Sequence, residues 1–217
     1  MILQNATINL LGDSITEGCG ASCAENGLTC VMERMFSMRV NNYGIGGSRI
    51  ARQRIVTDAR ADRDFCMRAR EMDLSADAVI VFGGTNDYGH GTAPLGVMTD
   101  RTPDTFYGAC HDLMSYLLDA YTGKPVLICT PLRRSDEENP RGEGNKPFSV
   151  APLRTYRDIL MEVAFYYALP VLDLYSVSGI QPALPCIRER LIPDGLHPND
   201  AGHAILARKM GLALQAL

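Results

Sequence analysis

Ala78-Val79-Ile80-Val81-Phe82, followed without a break by Gly83-Gly84-Thr85-Asn86-Asp87, is the stretch whose reading decides the fold. The five residues are continuously apolar, too short a run for an ordinary helix, and they leave no face for water. Strands of this kind are covered on both sides, as the inner strands of a parallel sheet are. The two glycines stop the run, so Asn86 falls just past its carboxyl end. In open parallel sheets, ligand sites form in the loops at those ends.

Outward from this strand the same unit repeats. Residues 8–11 form a second apolar run, which leads into Gly12-Asp13-Ser14. Residues 40–43 read as a short strand that ends in Gly44-Ile45-Gly46-Gly47, and residues 126–129 and 171–174 as two more strands. Between them lie segments of helical period. Residues 24–38 place Val31, Met35 and Met38 on one stripe, and residues 52–70 read as a highly charged surface helix in one or two pieces. After Pro103, Phe106, Cys110, Leu113, Leu117 and Leu118 mark an amphipathic helix that Gly123-Lys124-Pro125 ends. Residues 151–167 form another helix. Asn199 or Asp200 can cap a last one running to about Leu214, with Ile205, Leu206, Met210 and Leu214 inward. Strand and helix alternate about five times, which predicts an α/β fold: a five-stranded parallel sheet with helices on both faces. Two long loops, 88–102 and 133–149, are of the length used for lids and binding loops. No repeat, low-complexity tract or linker divides the chain, so residues 1–217 are read as one domain.

Composition narrows the function classes. Apolar residues make up 46% and charged residues 21%, as in an ordinary globular protein rather than a disordered or fibrous one. With 25 acidic and 21 basic residues, the net charge of −4 offers no electrostatic attraction for nucleic acid or an anionic membrane. No apolar run reaches the length of a membrane span. The N-terminus lacks the basic and long apolar segments of a signal peptide. The seven cysteines, an odd number, then read as reduced thiols in a cytoplasmic protein. Cys19, Cys23 and Cys30 match no zinc spacing, so no metal and no cofactor is expected.

Four loop segments carry candidate chemistry. Ser14 follows a strand directly, and the backbone N–H groups of the next turn can point into the space it faces, although a capping serine is the ordinary reading. Asp194-Gly195-Leu196-His197 precedes the last helix. Imidazole can take the proton of a serine hydroxyl, and a carboxylate on the same turn can hold that imidazole in the required tautomer. Alone, an Asp-x-x-His is commonplace. The Asn86 side-chain amide can donate to an oxyanion, and the backbone N–H of Gly47 offers a further donor. Taken singly, each glycine cluster is a tight turn. Together, on loops the sheet places along one edge, the four supply a nucleophile, a base, an orienting acid and oxyanion donors.

The set resembles the four blocks of the GDSL/SGNH hydrolases: Gly12-Asp13-Ser14, Gly47 within Asn42-Tyr43-Gly44-Ile45-Gly46-Gly47, Gly84-Thr85-Asn86-Asp87 and Asp194-Gly195-Leu196-His197. They occur in the family's order from residue 12 to residue 197. Ile15 replaces the leucine of the family's common name, a volume-conserving change. The resemblance implies a three-layer α/β/α, flavodoxin-like fold and metal-free ester hydrolysis through an acyl-enzyme. It assigns Ser14 as nucleophile, His197 as base and Asp194 as its orienting acid. The oxyanion donors it implies are the N–H groups of Ser14 and Gly47, with Gly46 close enough to exchange roles, and the side chain of Asn86. The Gly-x-Ser-x-Gly elbow of α/β-hydrolases is absent, since Thr16 stands where its last glycine would be.

Other residues are read more plainly. Asp13 and Asp87 brace their turns, and His203 is a packed or capping histidine. Arg49 and His90 are candidates for substrate contact, Arg49 with surface acids as its other partners. The expected substrate is a small acyl ester, such as an O-acetylated sugar or similar polar metabolite. A lysophospholipase or acyl-thioesterase on longer chains is the second reading, and a non-catalytic carbohydrate-binding protein a third, of another class. A nucleotide-binding flavodoxin-like protein would carry a phosphate loop, and neither Gly-x-x-x-x-Gly-Lys-Ser/Thr nor Gly-x-Gly-x-x-Gly is present. Whether the chain forms a homo-oligomer is left open by its sequence.

Overall fold

The computed structural model describes residues 1–144, 146, 148 and 150–217. Asn145, Pro147 and Ser149, part of the second expected long loop, lie outside the described residues. The strands are β1 (Thr7–Gly12), β2 (Arg39–Gly44), β3 (Ala78–Phe82), β4 (Val126–Cys129) and β5 (Val171–Leu172). The helices are α1 (Ser14–Glu17), α2 (Leu28–Phe36), α3 (Phe65–Ala69), α4 (Thr85–Gly89), α5 (Phe106–Ala120), α6 (Leu153–Tyr166), α7 (Leu174–Val177), α8 (Pro185–Leu191) and α9 (Asp200–Gln215).

All pairings are parallel and the strand order is β2-β1-β3-β4-β5, the flavodoxin-like order. Side chains alternate between two cores, because successive residues of a strand face opposite ways. Leu11, Val79, Val81, Val126 and Ile128 pack under α5 and α6 on one face. Ile8, Leu10, Ile80, Phe82 and Leu127 pack under α2 and α9 on the other. The order reverses at β1, between β2 and β3, and the crevice at this switch point lies beyond the carboxyl ends of β1 and β3. Ser14 and Asn86 stand there.

Several sequence-based boundaries move for identifiable reasons. The helix expected over 24–38 breaks at Gly27, which is extended, and stops at Ser37 with φ of 52°, so only Leu28–Phe36 is α-helical. Met38 is still buried, but Met35 is largely exposed. The strand expected over 171–174 ends at Leu172, because Asp173 turns aside to accept hydrogen bonds from Thr130 and Arg157.

The largest correction concerns residues 52–70, where only Phe65–Ala69 is helical. Aspartate side chains there compete with helix formation for backbone donors. Asp58 accepts from the N–H groups of Arg60 and Ala61, Asp62 from those of Thr57 and Asp58, and Asp64 caps α3 through Met67 N–H. Arg68, in the segment read as surface, is 3% exposed. The short helix α8 has no buried residue, so it carries no apolar stripe by which the sequence could reveal it.

Candidate active site

The strand β1 delivers its chain into a tight turn at Gly12-Asp13. The Asp13 carboxylate accepts from Ile15 N–H at 3.0 Å, which starts α1 and sets Ser14 at its first position. At the other end of the sequence, the turn before α9 folds on Asp194. One of its oxygens accepts from the N–H groups of Leu196 and His197 at 2.8 and 2.7 Å. The second lies 2.7 Å from His197 Nδ1, and His197 Nε2 lies 3.0 Å from Ser14 Oγ. Burial alone would raise the Asp194 carboxyl, but the backbone donors of His197 and Leu196 and the imidazole itself hold it below its ordinary value. Ser14 is 8% exposed, whereas the Asp194 side chain is 55% exposed, so this carboxylate stays in contact with water.

The glycine-rich loop after β2 passes directly over Ser14. A Cβ on Gly46 would lie 3.7 Å from that of Ser14. Gly46 N–H is engaged, donating to Glu17 Oε2 at 2.7 Å. Gly47 N–H makes no hydrogen bond within the described residues, which separates two glycines that spacing alone leaves interchangeable. Gly47 has φ of 74°, a left-handed conformation that favours glycine. Asn86, 4% exposed on α4, donates one amide hydrogen to Ser48 O at 3.0 Å and keeps the other.

Two further carboxylates brace the loops. Asp87 accepts from Ile50 and Ala51 N–H, both at 2.9 Å, and so ties the chain beyond Gly47 to α4. Burial pushes Asp13 and Asp87 each up to about 6, against the backbone donors and nearby cations that pull them down. Arg68 supplies the counter-charge and the scaffold behind the site. Its guanidinium donates to Tyr43 O at 2.6 Å, Gly12 O at 3.1 Å and Ser48 Oγ at 2.8 Å, gathering the ends of β1 and β2. Its burial lowers its pKa to about 10. Sequence reading missed Arg68, Glu17 and Ser48. Glu17 and Ser48 had only their closeness in sequence to motif residues as a signal, and Arg68 had none, lying within a run of charges.

The remaining candidates are placed as follows. Arg49 is 4% exposed, with Nη1 on Gly47 O at 2.7 Å and Nη2 on Asp62, so its charge is committed to the loop instead of facing a substrate. Pairing with an acid is the other of the two roles that the sequence leaves open for Arg49, although Asp62 is itself buried. His90, half-buried at the end of α4, lies near Gly47, with Cε1 4.0 Å from where a Gly47 Cβ would be. Burial pushes the His90 imidazole down. His203 packs behind the site, 3.0 Å from Cys19 O. Among the described residues no cluster of His, Cys, Asp or Glu is arranged to hold a metal ion, and no helix is long and apolar enough to cross a membrane.

The family whose model the chain matches sets the class, that of the carboxylic ester hydrolases. The chain belongs to the GDSL-like Lipase/Acylhydrolase family, whose model matches residues 10–205. One solved structure is 32% identical over 100% of this chain and 99% of its own, with a TM-score of 0.84. A protein from Lactobacillus plantarum is 29% identical over 99% and 98%, with a TM-score of 0.80. A carbohydrate acetylesterase family member from Sinorhizobium meliloti shares the fold at 17% identity over 97% and 98%, with a TM-score of 0.66. No match was found among curated proteins.

Proposed function

We propose that the protein is a serine esterase that removes short acyl groups, foremost O-acetyl groups of a sugar or small polar metabolite. The observation that carries this reading is the unbroken chain from Ser14 Oγ to His197 Nε2 and from His197 Nδ1 to Asp194. In the proposed reaction, His197 takes the Ser14 proton as Oγ bonds to the acyl carbon. The carbonyl oxygen gains the charge and is met by the N–H groups of Ser14 and Gly47 and the free hydrogen of the Asn86 amide. Collapse expels the alcohol, which takes its proton from the imidazolium. Water then repeats the sequence on the acyl-enzyme, releasing the acid and restoring Ser14.

Two features support a polar substrate. A groove opens beside Asp194 in which the charged side chains of Arg134, Asp136, Arg188 and Glu189 stand among Pro182 and Pro185, and its charged part offers hydrogen-bond partners to a hydroxylated alcohol. The carbohydrate acetylesterase relative from Sinorhizobium meliloti shares the fold over nearly its whole length, which makes acetylated sugars the first compounds to screen.

Hydrolysis of p-nitrophenyl esters from acetate to laurate, with Ser14→Ala alongside, tests the proposal. The expected outcome is fastest turnover of acetate, falling with chain length and lost in the variant. A preference for laurate would move the assignment to a lysophospholipase or acyl-thioesterase, and activity surviving in Ser14→Ala would remove Ser14 from the mechanism.

A further inference from the structure

Two adjacent glycines, Gly46 and Gly47, leave the peptide between them little intrinsic preference for one orientation. That peptide carries the Gly47 N–H, so something outside the glycines must aim it. Contacts grip it on both sides. Glu17 Oε2 holds the N–H of Gly46 at 2.7 Å, and Arg49 Nη1 holds the carbonyl of Gly47 at 2.7 Å. Each of these side chains is backed by an opposite charge from one short segment, residues 57–62. Arg60 pairs with the other oxygen of Glu17, and Asp62 pairs with the other terminal nitrogen of Arg49. The segment is closed on itself by Asp58 and Asp62, which take up the N–H groups of Thr57, Asp58, Arg60 and Ala61. It also covers Gly47, with Ala61 Cβ 3.5 Å from where a Gly47 Cβ would lie.

We infer that residues 57–62 form a charged clamp that aims the Gly47 N–H, with Glu17 and Arg49 as positioning residues at its two jaws. The inference rests on the reading of Gly47 as an oxyanion donor. The two jaws are unequal. The Arg49 and Asp62 side chains are 5% and 6% exposed, while those of Arg60 and Glu17 are 62% and 32% exposed. A pair shielded from water holds its geometry more firmly than one that water and salt screen, so the Arg49 jaw dominates. A clamp of this kind acts on the transition state, because the oxygen it serves gains its charge only there.

The test compares wild type with Arg49→Met, Arg49→Met combined with Asp62→Asn (which keeps an acceptor for Thr57 and Asp58 N–H), Glu17→Leu, Glu17→Gln and Ser14→Ala. The double variant removes both buried charges, so it avoids the cost of stranding one of them should Arg49→Met alone fold poorly. Turnover of p-nitrophenyl acetate is expressed per active site titrated with a fluorophosphonate, and the affinity of phenylboronic acid, which forms a tetrahedral adduct on a serine, is measured in parallel. Losing the Arg49 jaw should lower kcat about 10- to 100-fold, less than the 10²–10³ cost of deleting a donor outright, with KM within about twofold. Boronate affinity should fall by a similar factor. Glu17→Leu should lose less than the Arg49 variants, and Glu17→Gln, whose amide oxygen still accepts from Gly46, less again. Residues with a purely structural role would lower the melting temperature and the titrated fraction, and leave kcat per site and boronate affinity at wild-type values. That result in the double variant and in Glu17→Leu overturns the clamp. Activity in Ser14→Ala, or wild type that boronate does not inhibit, overturns instead the serine-esterase reading beneath it.

Discussion

Replacing Asp194 by asparagine should damage catalysis more than replacing it by alanine, and the geometry of the turn supplies the reason. One carboxylate oxygen accepts two backbone N–H groups, from Leu196 and His197, and the other meets His197 Nδ1 at 2.7 Å. In Asp194→Asn only the amide oxygen can satisfy the two backbone donors, so the NH2 group is forced toward Nδ1. The imidazole must then carry its proton on Nε2, where it donates to Ser14 Oγ and cannot accept from it. This tautomer trap costs about 10⁴-fold in kcat in triads of this plan. Asp194→Ala removes the orienting group without imposing the wrong tautomer, and water can reach the 55% exposed position. The lost attraction to the imidazolium then lies between about 1 kcal/mol in water and about 4 kcal/mol near a protein surface. The exposure favours the middle of that range, or roughly 30- to 150-fold in rate at about 1.4 kcal/mol per tenfold. Steady-state kinetics on p-nitrophenyl acetate at fixed pH reads both variants. Equal losses, or a larger loss in Asp194→Ala, would refute the tautomer reasoning and leave Asp194 acting through charge alone.

Other expectations follow from particular contacts. A Cβ on Gly44 would lie 2.2 Å from the backbone N of Glu17, so Gly44→Ala should lower stability by about 2–3 kcal/mol in thermal unfolding and slow turnover by displacing α1 and Ser14. Asn86→Ala should cost about 10²–10³-fold in kcat with little change in KM, and an effect confined to KM would place Asn86 in ground-state binding. Asp13 tests the link between burial and pH. Burial raises its pKa from 3.8 to about 6, so the folded chain holds a proton that the unfolded chain sheds in between. That contribution, roughly 3 kcal/mol at about 1.36 kcal/mol per pH unit, is complete below the unfolded value and is lost as pH rises through 6. Asp13→Asn keeps an acceptor for Ile15 N–H and removes the titration. The melting temperature of the variant should therefore gain on wild type between pH 4 and pH 7 in scanning calorimetry, and a constant difference would contradict the assignment.

The parts of the fold legible in the sequence are those written in local patterns. Ala78–Phe82 announces itself as a doubly covered strand because both of its faces are apolar, and α9 because Asn199 caps a run with Leu206, Met210 and Leu214 on one face. The loops bearing Ser14, Gly47 and Asn86 follow from the rule for parallel sheets, since each lies just beyond the carboxyl end of a strand, whereas Asp194 and His197 lie between α8 and α9, where no strand marks them. What stayed hidden depends on partners distant in sequence. Residues 52–64 have a helical composition, but Asp58, Asp62 and Asp64 spend their carboxylates on local N–H groups, and no periodicity reports that choice. Arg68 and Arg49 look like surface cations until the fold brings Gly12, Tyr43, Ser48, Gly47 and Asp62 around them. The separate roles of Gly46 and Gly47 depend on Glu17, whose carboxylate occupies one N–H and leaves the other open.

In the proposed mechanism Ser14, activated by His197, becomes acylated. Intact-mass and peptide-mapping mass spectrometry after treatment with a fluorophosphonate tests it most directly. One adduct per chain should form, mapped to Ser14, far more slowly in His197→Ala and not at all in Ser14→Ala. An adduct on another residue, or labelling of Ser14 that is as fast without His197, would contradict it.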